Sequence, residues 1–297
     1  MLLYADAASR RPARPSPDYL LNEGLEIIDR ALKEHRPTEL LPLFSGGDDS
    51  ACACHVASQH SAFGGTVYQI DTGIGSRANR EHADRLAAGQ GWTLERRRSK
   101  DTYEQFVRDR GFPGPGRHHW VYARIKERVI KAWVREKKVS NRAVGLLTGC
   151  RKAESARRLG SAEPIKRGTT IDRRNGRLED PQQLWIAPIV YWTKADKYAY
   201  MEEWGLPANP LKSTLNMSGE CFCGAFARPG ELETIRRVCP DVAAEIDRLA
   251  EVARECGTPD RWGESPPAPA DPDQMLLPLC QSCPSRAGAG VPEPLAA

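Results

Sequence analysis

The 297-residue sequence has no apolar run near the roughly 18 residues that a membrane-spanning helix needs, so we expect no membrane association. Its first residues carry an aspartate at position 6 and no hydrophobic segment of a secretory leader, so we expect a cytoplasmic location. In that compartment a disulfide framework is not expected, and the odd number of cysteines, nine, also argues against complete pairing. Metal binding or thiol chemistry is therefore expected for some of them.

Net charge is also small, at +4, but it is unevenly distributed. Residues 117–177 contain eighteen basic side chains against five acidic ones, whereas residues 229–297 contain six basic and twelve acidic. A basic middle beside an acidic end favours one face built for a polyanion. A set of solvated helix faces would give the same counts. Aromatic and imidazole side chains interleave with the basic residues at 118–122, which suits base stacking.

Apolar runs of strand length alternate with amphipathic helical segments. Strands are predicted at 39–44, 66–71, 92–97 and 143–148, and helices at 19–35, 51–59, 79–90, 103–110, 121–138, 194–203 and 231–253. This alternation predicts an α/β fold with a doubly wound, mostly parallel sheet, whose ligands lie beyond the carboxyl ends of the strands. Asn175-Gly176, between 169–171 and 184–186, suggests a hairpin or an irregular insertion.

A glycine-rich turn joins the first predicted strand to a helix. It reads Ser45-Gly46-Gly47-Asp48-Asp49-Ser50. Two glycines let the backbone turn tightly, and a helix N-terminus offers free N–H groups to an anion. Asp48 or Asp49 would repel phosphate unless Mg²⁺ bridges them, so the turn indicates a metal–pyrophosphate complex. No Gly-Lys-Ser/Thr follows, which excludes the Walker pattern.

Several basic residues follow the fourth predicted strand. Arg151 and Arg158 are the candidates for binding phosphate oxygens with their planar guanidinium groups. Glu154 is expected to hold one arginine in place or to cap a helix. Cys150 is either a thiol that faces the site or a buried cysteine at a strand end.

Two close pairs of cysteines lie in the last third of the chain. They are Cys221 and Cys223, and Cys280 and Cys283. Four thiolates suit either a closed Zn²⁺ site or a [4Fe–4S] cluster, and the spacing favours neither. Free thiols in loops are the simpler alternative. Cys239 and Cys256 are spare candidates.

The six-residue turn resembles the SGGxDS motif of the PP-loop ATP pyrophosphatases, or adenine nucleotide α-hydrolases. Within them the chain resembles the phosphoadenosine-phosphosulfate-reductase-like family over roughly residues 20–285. The stretches that carry the resemblance are the Asp71-Thr72-Gly73 turn and residues 149–158, 186–193 and 205–211. Reductases of this family end in Glu-Cys-Gly-Leu-His, whereas here Thr258-Pro259 follows Glu255-Cys256-Gly257, and no Cys-Cys pair is present. The layout is closer to the PP-loop proteins of DNA phosphorothioation.

The resemblance implies roles for the candidate residues. Ser45, Gly46, Gly47 and Ser50 would cradle pyrophosphate, Asp49 would hold Mg²⁺, and Arg151 and Arg158 would neutralise phosphate charge. The nucleotide ATP would also meet Asp48, Glu154 and the turn of Asp71, Thr72 and Gly73. The four cysteines would hold a [4Fe–4S] cluster, with Zn²⁺ as the alternative.

The resemblance also implies a function. It is ATP-dependent sulfur transfer to a nucleic acid, DNA before tRNA, bound through the basic region 117–177. A cysteine desulfurase would supply the sulfur, and other modification proteins would assist. The alternatives are a phosphoadenosine phosphosulfate or adenylyl sulfate reductase that releases sulfite, and a non-catalytic partner in an assembly.

Composition, together with the order of the motifs, gives the expected domain bounds. The chain divides into a disordered start at 1–17, a nucleotide-binding α/β domain at 18–212, a cysteine-rich helical region at 213–285 and a flexible tail at 286–297.

Overall fold

The computed structural model describes residues 11–169 and 178–264 of the chain. These form two compact units, each assembled from separate segments. The described part of the first unit is 11–71, 77–97, 129–169 and 178–220; that of the second is 72–76, 98–128 and 221–264. The predicted domain bounds are not tested by this division and stay a prediction.

Six strands form a four-stranded, mostly parallel sheet and a second sheet of two strands. In chain order they are β1 (Leu40–Pro42), β2 (Thr66–Asp71), β3 (Thr93–Arg98), β4 (Val144–Leu147), β5 (Ile165–Arg167) and β6 (Gln183–Ile186). Four of them follow the order β1-β4-β6-β5, in which β1 and β6 run parallel to β4 and β5 runs antiparallel to β6. β2 pairs with β3, and a parallel bridge joins Leu43 to Tyr68. The predicted α/β fold with a mostly parallel sheet is confirmed.

The helices of the first unit include the segments that position the candidate site. They are α1 (Pro17–His35), α2 (Asp48–Ser58), α3 (Arg77–Gly89), α6 (Arg128–Lys137), α7 (Ala156–Ser161), α8 (Lys194–Glu203) and α9 (Lys212–Leu215). α8 begins with a capping box, in which Thr193 Oγ1 accepts from the Asp196 amide and Asp196 Oδ2 accepts from the Thr193 amide. α1, α2, α6 and α8 bury apolar side chains in the clusters that also contain strand residues.

Apolar side chains of the sheet face two layers of helices. On β4, Val144 and Leu146 pack with Trp133 of α6, whereas Leu147 packs with residues of α1, α2 and α8. Successive side chains of a strand point to opposite faces, so this one strand contributes to the cores on both sides of the sheet.

The helices of the second unit are α4 (Tyr103–Arg110), α5 (His118–Val121), α10 (Glu231–Val238) and α11 (Pro240–Glu255). A π-helical stretch, Tyr122–Glu127, connects α5 to α6. Arg248 of α11 pairs with Glu104 of α4 at 2.9 Å, and the Tyr103 hydroxyl donates to the carbonyl of Cys223 at 2.8 Å.

One predicted helix is wrong. Residues 231–253 form α10 and α11 rather than a single helix, because Pro240 has no N–H to donate and its ring clashes with the preceding turn. Cys239 lies between the two helices, and its amide donates to the carbonyl of Ile235 at 2.7 Å. Pro240 then occupies the first position of α11, where its fixed φ is favourable.

The segment after β4 matches the predicted insertion in part. β5 and β6 form an antiparallel pair, but the first strand is Ile165–Arg167 rather than 169–171. Asn175-Gly176 lies outside the described residues, as do Arg173, Arg174 and Arg177. None of the helices that the structure describes is long and apolar enough to cross a membrane.

Candidate active site

The loop between β1 and α2 is held by its own serines. Ser45 Oγ and Ser50 Oγ lie 3.0 Å apart, and Ser50 Oγ donates to the carbonyl of Gly47 at 2.8 Å. Gly46 has φ of +77°, and a Cβ there would lie 2.4 Å from Asn79 Oδ1. The loop therefore requires glycine at this position, both for its left-handed backbone and for the close approach of Asn79.

The N-terminus of α2 presents backbone N–H groups beyond the carboxyl end of β1. Gly47 is the N-cap and offers no capping side chain, and the first helical bond runs from the Ala51 amide to the Gly47 carbonyl. The amides of Asp48, Asp49 and Ser50 lie before Ala51 in the chain, so they have no helical carbonyl to donate to. Such groups, together with the positive end of the helix dipole, suit a phosphate.

Two asparagines that the sequence analysis did not assign hold this loop. The side-chain amide of Asn209 donates to the Gly46 carbonyl at 2.7 Å and to Asn79 Oδ1 at 2.9 Å. Asn79 in turn donates to the Ser45 carbonyl at 3.1 Å. Asn209 lies in the 205–211 stretch. That stretch contributes to the family resemblance, but the resemblance implies no role for Asn209. Its burial and its contacts show that it shapes the loop.

The two aspartates of the loop have different surroundings. Asp48 is buried, and its Oδ1 accepts the Asn209 amide at 2.9 Å. The Asp49 side chain is 23% exposed, and its Oδ1 lies 2.5 Å from Arg151 Nε. No described residue donates a hydrogen bond to Asp49 Oδ2. Asp48 is thus held through Oδ1, whereas neither Asp48 Oδ2 nor Asp49 Oδ2 accepts a hydrogen bond from a described residue, and their part in ligand binding stays a prediction.

A buried lysine, Lys197 of α8, lies between these carboxylates. Its side chain is 1% exposed, and its Nζ lies 3.6 Å from both Asp48 Oδ2 and Asp49 Oδ1. Lysine is almost never fully buried unless it is paired. The sequence gives no signal for this role, because a lysine in a helix is normally a solvated side chain.

The strand-end arginines are placed differently. Arg151 is 5% exposed, contacts Asp49 and donates to the Trp192 carbonyl at 3.3 Å. Arg158 is half-buried and pairs with Glu154, as expected for a carboxylate that holds an arginine. The structure therefore brings Arg151 to the loop, whereas Arg158 contacts Glu154 and lies beside Cys150. Burial is the main cause that raises the pKa of the half-buried Cys150 thiol.

The Asp71-Thr72-Gly73 turn spans the division between the two units. Asp71 ends β2 in the first unit, and Thr72 and Gly73 belong to the second. Gly73 has φ of +77°, and the buried Thr72 hydroxyl accepts from the Ile74 amide at 3.4 Å. Their part in nucleotide binding stays a prediction.

Cys221 and Cys223 lie in the second unit with their thiols close together. A hydrogen bond with Cys221, followed by burial, raises the pKa of Cys223 well above its usual range. The intervening Phe222 is fixed by the Ile74 carbonyl at 2.9 Å and by the Trp262 indole at 2.7 Å.

Cys280 and Cys283 lie outside the described residues, within which no group of three or more metal-ligating side chains is found. Of the spare candidates, Cys239 is buried and Cys256 is exposed. Burial is the main cause that raises the pKa of Cys239, to about 11.

Comparison with known proteins identifies the class of this domain. The family described as the phosphoadenosine phosphosulfate reductase domain matches residues 39–215, which is more than half of the chain. The chain therefore belongs to that family, and the resemblance drawn from the motifs is confirmed. The match includes the loop, Arg151, Lys197 and Asn209, and it ends before Cys221. No curated protein matches the chain.

Solved structures with a similar chain path include three enzymes. A phosphoadenylyl-sulfate reductase from Candida auris is 18% identical, with 68% of this chain and 94% of that chain covered and a TM-score of 0.44. An NH3-dependent NAD synthetase from Campylobacter jejuni is 17% identical, with 86% and 99% covered and a TM-score of 0.47. An FMN adenylyltransferase from Candida glabrata is 12% identical, with 71% and 67% covered and a TM-score of 0.43.

Proposed function

We propose that this protein binds Mg²⁺·ATP at the 45–50 loop and uses it to transfer sulfur to a nucleic acid, with the DNA backbone as the first-choice substrate and tRNA as the second. The observation that carries the proposal is the loop itself. Free amides at the start of α2 lie beside Asp49, which Arg151 holds in place. Backbone amides, a carboxylate and a guanidinium are the groups that bind a magnesium-bound polyphosphate.

Mg²⁺ fits the oxygen donors of the loop. Asp49 is partly exposed and its Oδ2 accepts no hydrogen bond from a described residue, whereas Asp48 is already held by the Asn209 amide. One carboxylate plus phosphate oxygens and water is the ligand set that Mg²⁺ commonly takes. Bound there, Mg²⁺ would neutralise pyrophosphate charge. Asp49 would hold it directly or through water, and the serine hydroxyls and amides of the loop would orient the phosphates.

The reaction proceeds in two displacements. An oxygen of the substrate attacks the α-phosphorus of ATP, the new O–P bond forms, and the bond to the β-phosphate oxygen breaks to release pyrophosphate. A hydrosulfide-level sulfur then attacks the activated phosphorus of the substrate, and AMP leaves with the displaced oxygen. If the sulfur arrives as the persulfide of a cysteine desulfurase, a second thiol must reduce the S–S bond. Positioning by the loop and neutralisation by Arg151 and Arg158 are the contributions of this chain.

The four cysteines Cys221, Cys223, Cys280 and Cys283 are proposed to hold a [4Fe–4S] cluster, with Zn²⁺ as the alternative. The adjacent thiols of Cys221 and Cys223 fit one half of a four-thiolate site. A cluster would supply a site for sulfide. We expect Cys280→Ser to abolish the brown colour of anaerobically purified protein, and Cys256→Ser to leave it unchanged. An unchanged spectrum of the Cys280 variant would exclude this residue as a ligand.

The nucleic acid is proposed to contact the basic region 117–177 and the surface beside it. Several basic residues of that region are paired with acids: Arg124 with Asp109, Arg128 with Asp101, Lys131 with Asp180 and Lys137 with Glu39. Arg117 is different, because its guanidinium lies 5.3 Å from the ring of the exposed Trp120 and has no ion pair with a described residue. Arg110 lies over the same ring at 5.2 Å. Exposed rings flanked by arginines suit the stacking of unpaired bases.

Sulfonucleotide reduction to sulfite is the second candidate. The description of the matching family favours it, and so does Cys256, an exposed thiol 3.9 Å from the Arg108 guanidinium. An accessible cysteine is a candidate nucleophile for covalent chemistry. Against it, Cys256 is not followed by the Leu-His of the reductase ending.

Calorimetric titration of anaerobically purified protein with Mg²⁺·ATP and with phosphoadenosine phosphosulfate distinguishes the two. Tighter binding of Mg²⁺·ATP, weakened by Ser45→Ala and unchanged by Ser61→Ala on the exposed surface, supports sulfur transfer. Tighter binding of the sulfonucleotide overturns the proposal and makes Cys256 the residue to replace. Release of AMP and pyrophosphate only when nucleic acid is added would extend the support to the substrate class.

A further inference from the structure

Four charged side chains meet at the start of α2 with no net charge. Asp48 and Asp49 contribute two negative charges, and Arg151 and Lys197 two positive ones. The two loop carboxylates thus already have cationic partners before any ligand is bound. Such neutralisation is expected for buried charges, which are costly when unpaired.

Lys197 occupies the position that a bridging cation would take. Its Nζ lies at the same distance, 3.6 Å, from one oxygen of each aspartate. Neighbouring carboxylates with a shared approach point are a common way to hold a divalent cation. Lysine supplies one positive charge at that point, and the packing around its buried side chain fixes where Nζ lies.

Arg151 does not have this role. Among the acidic side chains that the structure describes, it contacts only Asp49, through a 2.5 Å contact to Oδ1, and it also donates to the carbonyl of Trp192. Asp48 would therefore lose its only cationic partner among the described residues if Lys197 were removed. Lys197 is the group whose loss would leave two neighbouring carboxylates with one cation.

We propose that Lys197 is a built-in countercation that prevents the loop from binding a divalent cation until a nucleotide brings its own phosphate oxygens. The proposal rests on the proposed binding of Mg²⁺·ATP at the same loop. In the absence of nucleotide, Lys197 neutralises Asp48 and shares Asp49 with Arg151, so Asp49 Oδ2 alone is too weak a ligand set. With nucleotide, phosphate oxygens complete that set. Lys197 is thus a positioning residue that makes metal binding dependent on the nucleotide.

Mn²⁺ binding measured by electron paramagnetic resonance tests this directly, because the signal of the free ion falls when it binds. We expect the wild-type protein to bind no Mn²⁺ at the loop without nucleotide, and to bind it when a non-hydrolysable ATP analogue is present. Lys197→Met should gain nucleotide-independent Mn²⁺ binding, with an affinity at least about tenfold above the detection limit that bounds the wild-type protein. Lys194→Met is the matched control, since it makes the same change at an exposed position of α8.

Two further measurements distinguish a countercation from a lysine that only stabilises the fold. They are Mn²⁺ binding by a double variant and Mn²⁺ binding by the nucleotide-free wild-type protein. Asp48→Asn combined with Lys197→Met removes one carboxylate together with the lysine, so the gained Mn²⁺ site should disappear again. A merely structural lysine would give weaker nucleotide binding in Lys197→Met with no gain of Mn²⁺ binding, and that result would overturn the proposal. Tight Mn²⁺ binding at the loop of the nucleotide-free wild-type protein would overturn it too, and this measurement needs no variant to fold.

Failure of the proposed function gives a different pattern. If the loop does not bind ATP, the wild-type protein would bind no Mn²⁺ with or without the analogue, while Lys197→Met would still gain a site. If Lys197 has no countercation role, the wild-type protein would bind the analogue with Mn²⁺ as expected, and Lys197→Met would gain nothing.

Discussion

At the scale of single residues, the main feature of the candidate site is a pair of buried, oppositely charged side chains. Asp48 and Lys197 are both buried, and Lys197 Nζ lies 3.6 Å from Asp48 Oδ2, so each is the other's ion-pair partner. Removing one partner of such a pair commonly costs about 3–5 kcal/mol, more than the pair itself contributes. We therefore expect the free energy of unfolding to fall when any one of the four charges at the loop is removed. These are Asp48, Asp49, Arg151 and Lys197.

A buried histidine in α2 makes stability depend on pH. His55 Nδ1 lies 2.7 Å from the Tyr200 hydroxyl, and burial lowers the pKa of His55 from 6.5 to about 4. Between these values the unfolded chain binds a proton that the folded protein does not, so protonation favours unfolding. The free energy of unfolding should fall as the pH decreases from about 6.5 to 4, by at most about 3 kcal/mol from this group.

Urea unfolding at pH 5 and pH 7 measures this dependence. His55→Gln should reduce the difference in unfolding free energy between the two pH values. His60→Gln is the control, because His60 lies in the turn after α2 and bonds Asp29 near the surface. His82, whose pKa burial also lowers, adds a contribution of the same sign that both variants retain. An equal pH dependence in wild type and His55→Gln would contradict the assignment.

At the scale of elements, the end of β4 is packed against the start of α2. A Cβ on Gly149 would lie 2.4 Å from the carbonyl carbon of Asp49 and 2.6 Å from the Ser50 amide. These are backbone atoms, so no side chain can move aside. Gly149→Ala should therefore push the strand end from the loop, lower the free energy of unfolding and weaken Mg²⁺·ATP binding by at least about tenfold.

Gly160→Ala is the matched control for that variant. A Cβ at Gly160 in α7 meets nothing within 4 Å, and alanine is favoured over glycine in a helix by up to about 1 kcal/mol. We expect this variant to be as stable as wild type or slightly more so. Calorimetric nucleotide titration and thermal unfolding of both variants check the pair. Normal binding by Gly149→Ala would show that the close packing is not required.

At the scale of the whole molecule, the basic region 117–177 and the aromatic residues beside it predict nucleic-acid binding. Trp120 is 37% exposed and Phe226 71% exposed, and the Phe226 ring lies 4.7 Å from that of His118. Replacing Trp120 and Phe226 with alanine should weaken binding of a single-stranded oligonucleotide at least about tenfold, since each stacked base contributes about 1–3 kcal/mol. Binding should also weaken with salt, as expected when phosphate contacts release counterions.

Fluorescence anisotropy at several salt concentrations measures both effects. Tyr19→Ala, on α1 and outside the basic region, is the control. If the double variant binds single strands and duplexes as wild type does, with the same salt dependence, this aromatic surface is not the nucleic-acid contact.

The sequence by itself determined the features that depend on residues close to one another along the chain. The order of strands and helices, the glycine turn with its left-handed Gly46 and the position of Arg151 after a strand all follow from local pattern. Even the error at 231–253 was local, since Pro240 was visible in the sequence as a helix breaker. The family resemblance rested on these same short stretches.

Only the tertiary structure decided which residues meet at the loop. Arg151 contacts Asp49 across 102 positions of sequence, and Asn209 contacts Asp48 across 161. Lys197 could not be assigned from sequence, because a lysine in a helix is normally a solvated side chain, and only burial beside two carboxylates gives it another role. Ion pairs interact more strongly where the fold excludes water from them. Which charged side chains are buried depends on contacts between distant parts of the chain, and the local sequence pattern does not specify those contacts.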